Sequence, residues 1–397
     1  RDDVSYFSAH ARLNFNLSPD LKFILFGSYT YNDTENSQYL PTIVWANGQA
    51  YRGNRRSESV LGNAMLTYRK QLKKHFIDVL GLAELEKNTY TGFYTTVTNF
   101  SSDLMGFDNL QAGALRPWEG TGSYYEEPHL ASFLGRVNYT YDDRYVLTVN
   151  ARTDASSKFG ANHKWGFFPS VSAAWNVSSE QFMKQITWID NLKLRLGYGL
   201  AGNQGGIDSY TTMNLVRPNG VAPVGNSPVV TYETLRNINP DLKWEVKHTF
   251  NAGFDVGFYG NRLLLSVNYY NSKTTDMLYN YRVSVPPFTY NTLLANIGSM
   301  RNSGTEISVG ITPLKTKDME LNINANITFQ KNKLLSLNGM YNGEYISASE
   351  YTVIAGLDGA GFHGGYNNIV YQIVGQPLGV FYLPHCTGLV PDGNGGY

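Results

Sequence analysis

The chain has 397 residues, a formal net charge of +0, 42% hydrophobic residues and a mean hydropathy of −0.30. Balanced charge excludes a nucleic-acid surface, which needs a basic face, and the single cysteine, Cys386, excludes an internal disulfide framework or a multi-thiolate metal site. No run of about 18 apolar residues exists to span a bilayer as a helix, whereas 29 Tyr, 20 Phe and 6 Trp suit half-buried strands and water–lipid boundaries.

Alternation with period two begins near the N-terminus. Ala9, Ala11, Leu13, Phe15 and Leu17 oppose His10, Arg12, Asn14 and Asn16, and Ser18-Pro19-Asp20 turns the chain into a strand over 21–31. Residues 60–68 and 75–86 form the next pair. Phe133, Gly135, Val137, Tyr139 and Tyr141 then oppose Ser132, Arg136, Asn138 and Thr140. Past the Asp142-Asp143 turn, Tyr145, Leu147, Val149 and Ala151 oppose Thr148, Asn150, Arg152 and Asp154. The loop SSKFGANHK leads to Trp165, Phe167 and Phe168 and a strand over 171–177. The segment SSEQFMKQITWID joins that strand to 192–198 and reads as a short helical turn capped by Ser179. The cleanest hairpin follows, with His248, Phe250, Ala252, Phe254, Val256 and Phe258 against Thr249, Asn251, Gly253, Asp255 and Gly257, a turn at Tyr259-Gly260-Asn261, then Leu263, Leu265, Val267 and Tyr269. Segments 304–312 and 319–330 close the series with the same alternation.

About twelve strands of roughly ten residues result, the length a tilted strand needs to cross a bilayer. Connections alternate, short after Leu17, Tyr68, Tyr141, Val177, Phe258 and Thr312 and long after Tyr31, Glu86, Asp154, Tyr198, Tyr270 and Gln330. The polar face carries Asn, Ser, Thr and Gly rather than the Lys and Glu of a soluble sandwich. These features predict an all-β, transmembrane antiparallel barrel with short periplasmic turns and long extracellular loops. Arg136, Asn138, Asn150, Arg152, Asp154 and Asp255 fall on its lumen face, where Arg152 and Asp154 would pair with each other and with groups facing them, in preference to steering or binding polar solute. The chain opens on Arg1 with no signal peptide ahead and closes in PDGNGGY, so a segment of a longer polypeptide is expected.

Several blocks in order carry a resemblance: RVNYTYDDRYVLTVNARTDASSKFGANHKWGFFPSVSAAWNV, then NLKLRLGYGLAGNQ, NPDLKWE and NIGSMRNSGTEISV. They resemble the C-terminal barrel half of SusC/RagA-like TonB-dependent transporters, closely from Ser132 to Val309 and more loosely on the flanks. Ala201 departs from the Thr more often found before Gly-Asn-Gln. The resemblance implies a barrel of about twenty-two strands around an N-terminal plug, a TonB-engaging segment and a SusD-like surface lipoprotein as lid. On that reading 1–397 is a partial barrel domain, with plug and TonB-binding segment outside this chain. The implied activity is import of a large nutrient, an oligosaccharide or a peptide, across the outer membrane of a Gram-negative bacterium. The alternatives are a passive porin or secretion barrel, and a soluble β-rich carbohydrate-binding module.

No residue set nominates an enzyme, a cofactor or a metal. GAGFHG at Gly359–Gly364 matches G-x-G-x-x-G, but no helical period follows it. DGNGG at Asp392–Gly396 misses the calcium-loop pattern at its fifth position and reads as a turn. The seven histidines form no close pair, and Glu126-Glu127-Pro128-His129 reads as a solvated rim cluster before a divalent-cation site. Trp45, Trp118, Tyr124, Tyr125 and Trp165 lie in or beside long loops, where their faces would stack on sugar rings or pack on a partner, or else pack within a loop or join an aromatic girdle.

Overall fold

A segment that alternates aliphatic and small polar residues exposes two unlike faces and unpaired backbone groups on both edges; pairing into a sheet is its solution in lipid. The computed structural model describes residues 1–341, 344–347, 351–356, 368–383 and 385, and in it this pairing runs as one antiparallel meander. In chain order the wall strands are β1 (Asp2–Asn16), β2 (Leu21–Leu40), β3 (Gln49–Leu72), β4 (His75–Phe100), β5 (His129–Tyr141) and β6 (Tyr145–Ser156). They continue as β7 (Trp165–Asn176), β8 (Ile189–Asn203), β9 (Glu245–Phe258), β10 (Leu263–Arg282), β11 (Thr292–Lys315) and β12 (Glu320–Ser336). Each pairs with its sequence neighbours; among the described residues no strand pairs the outer edges of β1 and β12.

The strands run from 12 to 26 residues, longer than the ten expected. The difference lies beyond the membrane. β2 continues past Tyr31 to Leu40 and β4 continues past Glu86 to Phe100, so much of what reads as long loop is sheet projecting into water. Tight turns at the other rim are as expected: Asp142 and Asp143 adopt φ of 52° and 55°, a left-handed pair that short polar side chains tolerate. Ser179 is not a cap. The connection 177–188 holds two 3-10 turns, Val177–Ser179 and Gln181–Gln185, neither with a side-chain cap. Glu180 instead accepts from the Tyr145 hydroxyl at 2.7 Å and the Trp175 indole at 3.2 Å, tying the turn to the wall.

Register sorts the side chains. One row runs Asp78, Asn138, Thr148, Ser172, Gly197, Asn251, Tyr270, Gly304 and Gln330 across β4 to β12, all polar or small. The adjacent row runs Ile77, Tyr139, Leu147, Ala173, Leu196, Ala252, Tyr269, Thr305 and Phe329 and faces outward. Leu147, Val149, Val171 and Leu196 are 43–54% exposed, because lipid rather than protein is their partner. Two aromatic belts bound this apolar band. Tyr141, Tyr145 and Trp175 stack at 6.3–6.5 Å near the short turns, and Phe133 stacks on Trp165 at 6.1 Å near the long loops. The belts are eight to ten residues apart, about 26–33 Å along a strand, or about 20–25 Å of height at a tilt of about 40°.

The buried core is elsewhere. Among the described residues its three clusters are Phe159, Phe168, Ile207, Leu242 and Trp244; Tyr281, Leu293, Ala295 and Ile346; and Ala50, Val97 and Phe100. All lie at the long-loop end.

Candidate functional site

Many polar groups of the lumen wall bond across strands. Arg136 donates to Asn150 at 2.7 Å, Asn150 donates to Ser170 at 3.0 Å, and Thr148 donates to Asn138 at 2.7 Å. Arg152 grips both oxygens of Asp154 at 2.9 and 3.0 Å and reaches Ser132 at 3.1 Å. Asp255 accepts from Arg195 at 2.8 Å and from Ser266 at 2.7 Å. The six lumen residues picked from the sequence thus share one face. A concavity of about 720 Å³ opens on that face between β6 and β11, lined by Lys193, Arg195, Lys247, Asn251, Asn268 and Tyr270 among others.

Above the belt the wall of β3 and β4 is prolonged by the short strand Thr121–Glu126, which pairs with β4. Here Gly92-Phe93-Tyr94 runs antiparallel to Gly122-Ser123-Tyr124, so Gly92 faces Tyr124 and Tyr94 faces Gly122. A Cβ at Gly92 would lie 2.7 Å from the Tyr124 ring, and one at Gly122 would lie 2.7 Å from the Tyr94 hydroxyl. On β3, Gly53 is covered in the same way by Tyr51, 2.6 Å from its hydroxyl. Each of these tyrosines therefore passes over a glycine, where a Cβ would collide with its ring or hydroxyl. Tyr94 and Tyr124 keep 36% and 38% exposure, and the register puts all three on the face that carries Glu84 and Arg136 below. The result is a row of tyrosine side chains on the lumen side above the membrane.

Period two sends the neighbouring residues the other way. Tyr125 shares the outward face with Glu127, His129 and Lys87: its hydroxyl donates to Glu127, which His129 approaches at 2.9 Å and Lys87 at 3.0 Å. The Tyr125 hydroxyl, with His129 and Lys87 beside it, holds the Glu127 carboxyl down to about 2. Glu126 pairs with Tyr90 on the opposite face, so the adjacent glutamates do not converge on a cation. Trp165 opens β7 on the outward belt, away from the tyrosine row. Trp45, in the connection between β2 and β3, and Trp118, in the 3-10 turn Trp118–Gly120, are each 52% exposed. Of the five aromatic candidates, only Tyr124 joins the lumen row. Tyr51 and Tyr94 escape sequence reasoning; the available signal is a glycine two residues from each tyrosine, before Tyr94 and Tyr124 and after Tyr51, which acquires meaning only with register.

The long-loop tier is fastened to the wall by asparagines standing in for a ladder. The amide nitrogen of Asn237 donates to the carbonyls of Tyr290 and Thr292 at 2.6 and 2.8 Å, and its oxygen accepts from Thr289 and Tyr290 at 3.0 and 3.1 Å. Asn239 donates to Leu294 at 2.9 Å. Asn296 exchanges bonds with Lys243 at 2.7 and 3.0 Å and donates to Asp276 at 2.9 Å. Trp244 donates to the Lys164 carbonyl at 3.0 Å and packs on Phe159 and Phe168 at 4.7 and 5.5 Å. Gly160 lies against the Pro240 carbonyl with no room for a Cβ. The glycine-rich segment 359–364, the DGNGG turn, His363 and Cys386 lie outside the described residues.

An antiparallel meander with a lipid-facing band, two aromatic belts, a polar inner wall and a layered long-loop tier defines the wall of an outer-membrane-type β-barrel. The chain matches the family model described as TonB dependent receptor-like, beta-barrel, over residues 1–396, and it belongs to that family. It is 32% identical to TonB-dependent receptor P3 of Formosa agariphila over 80% of this chain and 32% of the relative. It is 34% identical to TonB-dependent receptor SusC of Bacteroides thetaiotaomicron over 57% of this chain and 24% of that protein. Among solved structures, the RagAB peptide importer in its open-open state superposes with a TM-score of 0.74 at 22% identity, covering 96% of this chain and 40% of that one. The chain thus spans about a third of the length of the curated relatives it matches.

Proposed function

We propose that this chain is part of the barrel wall of a SusC-like, TonB-dependent transporter that imports a large nutrient, an oligosaccharide before a peptide, across the outer membrane. The observation that carries the cargo reading is the lumen row of Tyr51, Tyr94 and Tyr124, whose side chains lie above the membrane where cargo would pass. A flat tyrosine face offers a sugar ring an apolar, electron-rich plane while the hydroxyl stays wet. In this reading further strands close the edges of β1 and β12, and a plug fills the lumen. A SusD-like lipoprotein caps the long-loop rim, and TonB engages a segment outside this chain.

The test is uptake by cells carrying the full-length transporter. Tyr94→Ala with Tyr124→Ala is expected to raise the half-saturating oligosaccharide concentration about tenfold, at about 0.5–1.5 kcal/mol for each ring contact, and disruption of TonB is expected to abolish uptake. Unchanged uptake in the tyrosine variant overturns the stacking role. Uptake that survives loss of TonB favours the passive pore.

A further inference from the structure

The outward face on the long-loop side differs between the two halves of the wall. On β2 to β5 every outward cation described here has a carboxylate: Arg52 with Glu35 at 3.8 Å, Arg56 with Asp33 at 3.6 Å and Lys87 with Glu127 at 3.0 Å. On β10 to β12, Lys273, Arg301 and Lys333 occupy one register row, with Lys331 beside it, and all four are exposed. None of the four has a carboxylate or hydrogen-bond partner among the described residues, although other lysines of these strands and loops do, such as Lys243 with Asp276 at 2.7 Å and Lys315 with Glu320 at 3.2 Å.

Their placement is specific. They continue the face of Tyr269 and Phe329, standing two to four residues beyond those rings, about 7–13 Å along the strand, on the long-loop side of the apolar band. Neighbouring strands are about 4.8 Å apart, so the row packs three like charges within about 10 Å, close to one Debye length at physiological salt. Such crowding is unfavourable unless an anion sits against it, and the medium that this face meets is the outer leaflet. We propose that Lys273, Arg301, Lys331 and Lys333 form a binding site for the phosphorylated headgroup of an outer-leaflet glycolipid. The lysine stems run along the apolar band while their ammonium groups reach the phosphates, and the Arg301 guanidinium can hold a phosphate by two parallel bonds.

The experiment uses the full-length transporter, delipidated in detergent and titrated with phosphorylated lipid A and with phosphate-free lipid A, bound lipid being read by native mass spectrometry. The wild type is expected to retain phosphorylated lipid A selectively. Binding should fall about fivefold for each cation removed and about 100-fold in Lys273→Gln/Arg301→Gln/Lys333→Gln, while Arg301→Lys stays within a few-fold of wild type. Heat-modifiable electrophoretic mobility of each variant checks that the barrel is folded. Equal retention of the two lipids, or an unchanged triple variant, overturns the site. Displacement by millimolar inorganic phosphate alone would reassign it to a free anion, and cross-linking of the row to an acidic protein segment in cells would give it to a protein instead; either result overturns the lipid assignment.

Discussion

The membrane-level wall and the long-loop tier are made by the same chain with opposite physics. The wall has no buried cluster; its order comes from backbone ladders, and its apolar side chains, Leu147 and Val149 among them, wait for lipid. The tier buries Phe159, Ile207, Leu242 and Trp244 almost completely and closes its irregular backbone with Asn237, Asn239 and Asn296. The wall therefore depends on its solvent, while the tier carries its own core. Damage to one should leave the other standing.

The largest effect is expected in the tier. Trp244→Ala removes a side chain packed on two aromatic rings and should cost the tier about 3–5 kcal/mol, seen as protease cleavage within 204–244 while heat-modifiable mobility persists. Loss of that mobility would mean that tier and wall fold as one unit. In the wall, Leu147→Arg on the lipid face should destabilise by about 2–4 kcal/mol in chemical unfolding from lipid vesicles, whereas Thr148→Arg, one residue on and facing the lumen, should cost far less. Equal costs would break the assignment of faces. Asn296→Ala strips three bonds from the junction of the two regions and should cost about 1–3 kcal/mol, read as faster amide exchange in 237–244 with no change in β6 or β7.

The smallest effect concerns Glu127. Its carboxyl is held to about 2, below an ordinary glutamate, chiefly by the Tyr125 hydroxyl. Since the charged form is favoured in the folded chain, its contribution is complete above the ordinary glutamate range and disappears as pH falls towards about 2. Amide exchange in 121–129 should stay flat from pH 7 to pH 5 once corrected for intrinsic rates, and protection should fall below about pH 4. Glu127→Gln should lose that acid dependence; an unchanged profile would detach Glu127 from the anchoring of this strand.

How much of this was legible in the sequence follows from where contrast exists. Between the belts one face meets lipid and the other water, so alternation is sharp, and faces, turns and strand order can all be read from it. Above the belts both faces are wet. A stretch such as Thr89 to Val97 mixes Tyr, Thr, Gly and Phe without contrast, and nothing in it announces that β4 continues to Phe100. The grouping of Tyr124 with Tyr125 and Trp165 had the same weakness, because loop membership ignores the parity that divides the two faces. Asn239 and Asn296 lay in blocks that carry the family resemblance, but a hydrogen-bonded strap between residues 53 apart is visible only in three dimensions.

One feature of the tier bears on how such proteins change. Among the described residues Val216–Val224 and Ser227–Thr234 pair only with each other, and the chain enters and leaves this ribbon at Leu215 and Leu235, which are joined by a backbone bond of 2.8 Å. The ribbon is thus topologically neutral: cutting it out leaves two ends already adjacent, with every strand of the wall in register. Such a segment can be lengthened, shortened or replaced while the ladder of the wall beneath it stays whole.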